Sequence, residues 1–185
     1  MKTRAVVYWL IPTEPQRELF RELIRVLAEE FGAPLFEPHL TLLVVRQDRP
    51  RNNPGSRSRS ASPGEILRSV DAAASIRMRV RGIGFSSRFT KTLFVRFKPN
   101  KSFEKLIVDL SRATKSRIKR VRDPHVSLLY KKLPPAAKKE LAAVMKLPFR
   151  SVVFDSIAAV RCASPSRTKA DVDAWKILAK KSLRQ

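Results

Sequence analysis

Apolar strand-like runs and amphipathic helix-like segments alternate in the same order in two parts of the chain. Residues 5–11 form a short apolar run rich in β-branched and aromatic side chains, and residues 14–31 follow with apolar positions at helical spacing. Residues 92–97 and 102–115 repeat that order, with Ser102 as the expected N-cap of the second helix. The pattern predicts a strand followed by a helix in each half of the chain.

An octapeptide occurs twice, once after each of these strand–helix units. Residues 37–44 read EPHLTLLV and residues 123–130 read DPHVSLLY, so the copies match in identity or chemical type at every position except the last. The offset between the copies is 86 residues, from His39 to His125. We therefore interpret the chain as two copies of one supersecondary unit.

Each half continues with a further helix and strand. The predicted helices are residues 63–74 and 134–145, the predicted strands are residues 76–85 and 151–162, and a last strand is predicted at 173–179. We expect an α+β protein with one bilobal domain over residues 1–185, formed by repeats at about 5–85 and 91–162. Two βαβ-type lobes with antiparallel sheets and pseudo-two-fold symmetry would then enclose a central cleft.

The first half is longer because of residues 46–62, which contain five Arg and four Ser and show no apolar periodicity. That composition predicts a flexible Arg/Ser/Pro-rich insertion after the first His-bearing strand. The segment is either an arm that contacts RNA or a disordered insertion that the fold tolerates. The sequence leaves both interpretations open.

Both octapeptides carry a His-x-(Thr/Ser) triplet, and they hold the only two histidines of the chain. Alternate residues of a strand share a face, so His39 should lie beside Thr41, and His125 beside Ser127. Opening a cyclic phosphodiester needs a base that takes a proton from water and an acid that protonates the leaving oxygen, and histidine suits both roles. The hydroxyls would donate to the phosphoryl oxygens. The triplets therefore predict a phosphodiesterase.

The histidines have two other interpretations. A single histidine is more often a core or surface group that bonds to a backbone carbonyl, but that interpretation does not explain two copies at equivalent positions of a repeat. Two histidines on separate strands would also suit zinc, but no third ligand with familiar spacing is present. We expect no metal and no other cofactor.

The net charge of +23 predicts a phosphate-rich partner, and nucleic acid is the usual one. The alternative is that the charge only keeps the protein in solution or touches an acidic membrane. Five basic residues just before the second octapeptide would guide an RNA backbone towards the cleft, although a solvated helix end would look the same. They are Lys115, Arg117, Lys119, Arg120 and Arg122. RNA is thus the expected macromolecular partner.

Three aromatic residues are candidates for base stacking or for the walls of the cleft. Tyr130 lies three residues beyond His125 and points away from it if the strand stays regular, so packing in the core or at the rim is favoured. Trp9 is expected in the core and Trp175 on a half-buried sheet face, with the cleft as the alternative for each.

The remaining features of the sequence bear on the cellular compartment of the protein. The single cysteine, Cys162, excludes an intrachain disulfide, suits a reducing environment, and is expected to be buried filler. No apolar run approaches the length of a membrane span, and Pro12 interrupts the first run too early for a signal peptide. We expect a cytoplasmic monomer, with the nucleus as an alternative location, and no membrane partner.

At these residues the chain resembles the 2H phosphoesterase superfamily, which is named for paired His-x-(Thr/Ser) motifs. It is most similar to the plant and yeast cyclic phosphodiesterases. The matching stretches are residues 7–12, 36–41, 124–130 and 173–179. The resemblance covers nearly the whole chain apart from residues 46–62.

The resemblance implies a bilobal fold with a metal-independent cleft that hydrolyses nucleoside 2′,3′-cyclic phosphates to 2′-phosphates. It also implies a related activity on ADP-ribose 1″,2″-cyclic phosphate, a by-product of tRNA splicing, with His125 as the base and His39 as the acid. One alternative is an enzyme of RNA ends, which processes cyclic termini or joins 2′–5′ linkages. This alternative is favoured by the charge. A second is a non-catalytic RNA-binding protein, against which the intact motifs argue.

Overall fold

The computed structural model describes residues 3–46, 61–70, 74–117, 121 and 123–184. The predicted insertion at 46–62 lies almost wholly outside these ranges, as do Lys119, Arg120 and Arg122. The strands are β1 (Thr3–Pro12), β2 (Leu40–Arg46), β3 (Ile76–Phe85), β4 (Leu93–Phe97), β5 (His125–Leu129), β6 (Ser151–Ser164) and β7 (Lys176–Ser182). The helices are α1 (Gln16–Phe31), α2 (Pro63–Ser69), α3 (Lys101–Ala113), α4 (Pro135–Val144) and α5 (Lys169–Asp173), with a 3-10 turn at Phe89–Lys91.

Three of the predicted boundaries were wrong. Asn100, and not Ser102, is the N-cap of α3, because the Asn100 side chain accepts a hydrogen bond from the backbone N–H of Phe103. Asp173 ends a short helix instead of opening the last strand, which begins at Lys176. The helix predicted at residues 63–74 already ends at Ser69.

The seven strands form one sheet with the order β1-β2-β5-β4-β3-β6-β7, in which every pairing is antiparallel. Because β1 also pairs with β6, six of the strands close into a ring. Strand pairing within the ring is shortest between β2 and β5, which share only the register pair Leu40↔Val126. The order confirms the α+β fold with antiparallel pairing and brings both octapeptides to adjacent strands.

The last strand of each repeat pairs with the other repeat. Strand β3 comes from the first repeat and pairs with β4 of the second, whereas β6 comes from the second repeat and pairs with β1 of the first. Each half of the sheet therefore takes strands from both repeats.

The two faces of β1 pack into different apolar clusters, because alternate residues of a strand point to opposite sides. Tyr8 and Leu10 belong to the main core, which the helices cover, whereas Val7 and Trp9 belong to a smaller cluster on the other side. The apolar positions of the octapeptides follow the same rule. Leu40, Leu42, Val126 and Leu128 are all buried in the main core. The polar positions between them are thereby turned away from that core.

Within the part of the chain that the structure describes, no helix is both long enough and apolar enough to cross a membrane.

Candidate active site

Both histidines line one cavity of about 340 Å³, together with Thr41 and Ser127. His39 immediately precedes β2, and His125 is the first residue of β5. The structure thus brings together the four residues that the paired motifs predicted.

The relation between the motifs follows from the antiparallel pair Leu40↔Val126. Extending that register by one residue in each direction places His39 opposite Ser127, and Thr41 opposite His125. All four residues line the one cavity, so each imidazole shares it with the hydroxyl of the other motif as well as with that of its own. An approximate two-fold axis passes between the two strands at this pair, and one cavity can hold two similar half-sites.

Each histidine is held by the carbonyl of the residue two positions before it. The Nδ1 atom of His39 lies 2.7 Å from the oxygen of Glu37, and that of His125 lies 2.8 Å from the oxygen of Asp123. A carbonyl oxygen can only accept a hydrogen bond, so both Nδ1 atoms must carry the proton. The neutral tautomer then leaves Nε2 unprotonated, as the nitrogen that can exchange protons.

The two imidazoles differ in their surroundings. His39 is 6% exposed and stacks on the indole of Trp9, with ring centroids 3.8 Å apart and planes 16° from parallel. Burial lowers the pKa of His39 to about 4, against the opposing effect of the Glu37 carbonyl. His125 is half-buried, and its ring lies 5.1 Å from that of Phe94.

Burial also lowers the pKa of His125, and the positive charges of Lys91 and Arg88 add to this effect. The Asp123 carbonyl opposes it. Both imidazoles are therefore biased towards their neutral forms when the cavity holds no anion.

The carboxylates beside the motifs bond to other residues and not to the imidazoles. Glu37 pairs with Arg17 and Arg21. The carboxylate of Asp123 accepts from Lys91 Nζ at 2.6 Å and from Arg96 Nε at 2.9 Å. Burial disfavours the charged form of Asp123, but its two cationic partners outweigh this and hold its pKa below the usual value. Glu37 and Asp123 therefore orient the histidines through their backbone carbonyls and not through their carboxylates.

The two hydroxyls also differ. Ser127 is 5% exposed, and its hydroxyl donates to the Thr90 carbonyl at 3.0 Å. The Ser127 hydroxyl also acts on the hydroxyl of Tyr130, whose pKa it lowers against the larger effect of burial. Thr41 is half-buried and makes no side-chain hydrogen bond to any residue that the structure describes. Thr41 can therefore donate to a ligand at once, whereas Ser127 has to turn away from Thr90.

The condition set for Tyr130, a regular strand through residue 130, is not met, because β5 ends at Leu129. Tyr130 lines the cavity with His125, is 2% exposed, and stacks on Phe36 with ring centroids 3.8 Å apart. Burial raises the pKa of its hydroxyl. Tyr130 thus packs in the core and also lines the cavity, so both predicted alternatives hold in part.

Trp9 and Trp175 line the cavity as well. Trp9 is 4% exposed, so it belongs to the smaller apolar cluster and to the cavity wall at once. Trp175 lies just before β7, packs edge-on against Trp9 at 5.1 Å, and donates from Nε1 to Ser166 Oγ at 3.1 Å. The three aromatic residues form one wall, next to His39.

Sequence reasoning missed two cations that line the cavity, Arg88 and Lys91. They lie at the 3-10 turn between β3 and β4, which has no counterpart in the repeat and carries no motif. Cys162, expected as buried filler, is half-buried and lines the cavity, and burial raises the pKa of its thiol to about 11. A thiol in that state is a poor nucleophile.

The predicted basic run is described only in part. Lys115 and Arg117 are exposed just beyond the end of α3 and do not line the cavity. Lys119, Arg120 and Arg122 lie outside the described residues. The proposed path for an RNA backbone therefore stays a prediction.

A larger cavity of about 530 Å³ lies between β3 and the end of α4, but it holds no histidine, hydroxyl or carboxylate. The larger cavity thus lacks the candidate catalytic groups, and the smaller cavity holds them. Nowhere in the described ranges do three His, Cys, Asp or Glu side chains gather as metal ligands would. Metal independence stays an expectation.

Comparison with known proteins identifies the family. A family model described as "Cyclic phosphodiesterase-like protein" matches residues 4–183. A search of curated proteins found no match. Among solved structures, Escherichia coli LigT complexed with 3′-AMP covers 99% of both chains at 14% identity, with a TM-score of 0.58. LigT complexed with NADP+ covers 100% of both chains at 14% identity, with a TM-score of 0.54.

A protein from Thermus thermophilus is also similar, with 19% identity, coverage of 100% of this chain and 98% of that one, and a TM-score of 0.55. Identities this low establish a shared fold and no more. The plant and yeast branch therefore stays a prediction. The family model, however, spans almost all of the chain. The chain belongs to the cyclic phosphodiesterase-like family, within the 2H phosphoesterase superfamily.

Proposed function

We propose that this protein hydrolyses 2′,3′-cyclic phosphates, of nucleosides or of the equivalent ADP-ribose 1″,2″-cyclic phosphate, to 2′-phosphate-type monoesters without a metal. One observation carries the proposal: two imidazoles, each held through Nδ1 by a carbonyl, share one cavity with Thr41 and Ser127. LigT, which shares the fold, has been crystallised with 3′-AMP and with NADP+, and both ligands are nucleotides.

The proton balance of the reaction requires the two histidines to differ in charge. A neutral imidazole takes a proton from the attacking water at Nε2, while a protonated imidazole gives its Nε2 proton to the leaving oxygen. The P–O bond to the new hydroxyl forms as the P–O bond to the ribose breaks. Thr41 and Ser127 donate to the two oxygens that stay on phosphorus and carry the developing charge.

The direct test is turnover of 2′,3′-cyclic AMP by the purified protein with a chelator present. We expect 2′-AMP as the product, at a rate that the chelator leaves unchanged. Formation of 3′-AMP would show that the other ring oxygen departs, and loss of turnover with chelator would show that a metal takes part.

The pH dependence of kcat/KM follows from the two lowered pKa values. The free protein needs one protonated imidazole, and its fraction falls tenfold per pH unit once the pH exceeds both pKa values. Because burial holds both pKa values below 6.5, kcat/KM should fall by about tenfold per pH unit between pH 7 and 8. A rate profile in low-salt buffers checks this. A plateau extending to pH 8 would mean that the pKa of the acid lies above 8, which contradicts the lowered values.

The roles of the histidines are separated by a substrate in which sulfur replaces the leaving 3′-oxygen, because a thiolate leaves without protonation. The resemblance to the superfamily assigns the acid to His39. We therefore expect the sulfur substrate to rescue His39→Ala and not His125→Ala, as a comparison of kcat/KM for both variants would show. The pKa of about 4 then implies that the anionic substrate raises the pKa of His39 on binding. Selective rescue of His125→Ala would reverse the roles.

The second candidate is an enzyme of RNA ends, and the net charge of +23 favours it. A short RNA with a cyclic end, assayed beside the mononucleotide, decides between them through the ratio of the two kcat/KM values. If RNA is the substrate, its binding should weaken with salt by about 0.7 log units per phosphate contact for each log unit of salt. Tight RNA binding without turnover of either substrate would leave only a binding protein.

A further inference from the structure

The 3-10 turn between β3 and β4 presents two cations to the cavity, and only one of them has a carboxylate partner. Lys91 Nζ lies 2.6 Å from Asp123 Oδ2 and 4.3 Å from the centre of the Phe94 ring. Arg88 is exposed, lines the same cavity, and forms no ion pair with any acidic residue that the structure describes. The charge of Lys91 is thus compensated within the protein, and that of Arg88 is not.

The backbone that carries Arg88 is fixed by several hydrogen bonds. The Arg88 N–H donates to Ser86 Oγ at 3.2 Å, and the Arg88 carbonyl accepts from Thr92 Oγ1 at 3.3 Å. The buried ammonium of Lys138 donates to the Ser86 carbonyl at 3.1 Å and so holds the start of the segment against α4. The guanidinium therefore extends from a rigid base, and a ligand that it binds would be placed in a defined position.

The two sides of the cavity differ in charge. Aromatic rings stand beside His39, whereas Arg88 and Lys91 act electrostatically on His125. Among the residues that the structure describes, no Asp or Glu lines the cavity. The single negative charge of a cyclic phosphate is already met by the histidine pair and the hydroxyls of Thr41 and Ser127. An unpaired guanidinium on the His125 side suits a further anionic group of the same substrate.

We propose that Arg88 determines specificity by binding a second phosphate of the substrate, one that is separate from the cyclic phosphate. This inference rests on the proposed function, since it assigns a second group of the same substrate. The chemical class is a cyclic phosphate whose ribose also carries a phosphate ester at the 5′ position. A nucleoside diphosphate and the last linkage of an RNA strand both supply such a group.

Binding of product-like ligands tests Arg88 without requiring turnover. Adenosine 2′,5′-bisphosphate should bind about 10- to 100-fold tighter than 2′-AMP, as expected for one charge-assisted contact to a guanidinium. In Arg88→Gln this ratio of Kd values should fall to roughly threefold, the part that general electrostatic attraction supplies. Arg88→Lys keeps the charge but not the planar fork, so its ratio should lie between the two.

Arg150→Gln is the matched control, because it removes the same charge from an exposed position at the other cavity. It should keep the full ratio at the same ionic strength. Thermal unfolding of both variants checks that the fold is unchanged. The proposal is overturned by a ratio near one in the unmodified protein, by an unchanged ratio in Arg88→Gln, or by an equal loss of affinity for both ligands. An equal loss would place Arg88 on the 2′-phosphate itself.

Turnover then identifies the source of the second phosphate. The substrates are 2′,3′-cyclic AMP, its 5′-monophosphate and 5′-diphosphate, and a dinucleotide with a cyclic end. A higher kcat/KM for the diphosphate than for the dinucleotide identifies a nucleotide substrate, and the reverse order identifies an RNA end. If none is hydrolysed, the proposed function fails while the Kd ratio still decides the role of Arg88.

Discussion

Replacing either His39 or His125 with alanine should lower kcat/KM for 2′,3′-cyclic AMP by at least about a hundredfold, as for loss of a general acid or base. The reason is that Nε2 of each ring is the nitrogen left to exchange protons once Nδ1 is bound to a carbonyl. Losing both rings should cost little more than losing one, because the two act as a unit in one step. Steady-state rates of the single and double variants measure this.

Alanine at His39 removes packing as well as the imidazole, because His39 is 6% exposed and stacked on Trp9. The effect of alanine on catalysis is therefore easier to isolate at His125. Asparagine is the better control, since its amide N–H can replace Nδ1–H as the donor to the Glu37 carbonyl while it cannot exchange protons. His39→Asn and His125→Asn should unfold near the temperature of the unmodified protein and still lack activity. A folded His39→Asn variant with near-normal turnover would disprove the paired-histidine mechanism.

The second large effect is expected at the hydroxyls. Thr41→Val and Ser127→Ala should each lower kcat/KM roughly 10- to 1000-fold, because each removes one hydroxyl that donates to the phosphoryl oxygens. Thr41→Ser is the matched control, since it keeps the hydroxyl and should retain most of the activity. The measurement is kcat/KM, supported by a structure with bound phosphate.

Stability should separate the two hydroxyl positions. Ser127→Ala also removes the hydrogen bond to the Thr90 carbonyl, so it should lower the free energy of unfolding by about 1–3 kcal/mol. Thr41→Val should leave stability nearly unchanged, because Thr41 has no described side-chain partner. A bound phosphate that contacts neither residue would contradict the assignment of both.

Most of what could be predicted from the sequence came from the repeat. Because residues two apart on a strand share a face, the spacing of His39 from Thr41 already placed both groups together. Strand pairing was beyond reach, since periodicity identifies a strand but not its neighbour, and the exchange of β3 and β6 between the repeats leaves no local signal. Arg88 and Lys91 were missed for a related reason: they lie on a short turn where neither repeat nor periodicity exists. The direction of Tyr130 stayed open in the sequence, because the end of a strand depends on its tertiary contacts.

The exchange of last strands between the repeats has the geometry of a domain swap within a single chain. In a swapped dimer, each copy completes its sheet with a strand from the other copy, and here both copies are covalently joined. Neither repeat alone could complete its own half of the sheet. A break in the chain between β3 and β4 would leave two fragments, each exposing an open edge to which the missing strand belongs. The two half-sites are therefore obligate partners in folding, as the proposed mechanism requires them to be in catalysis.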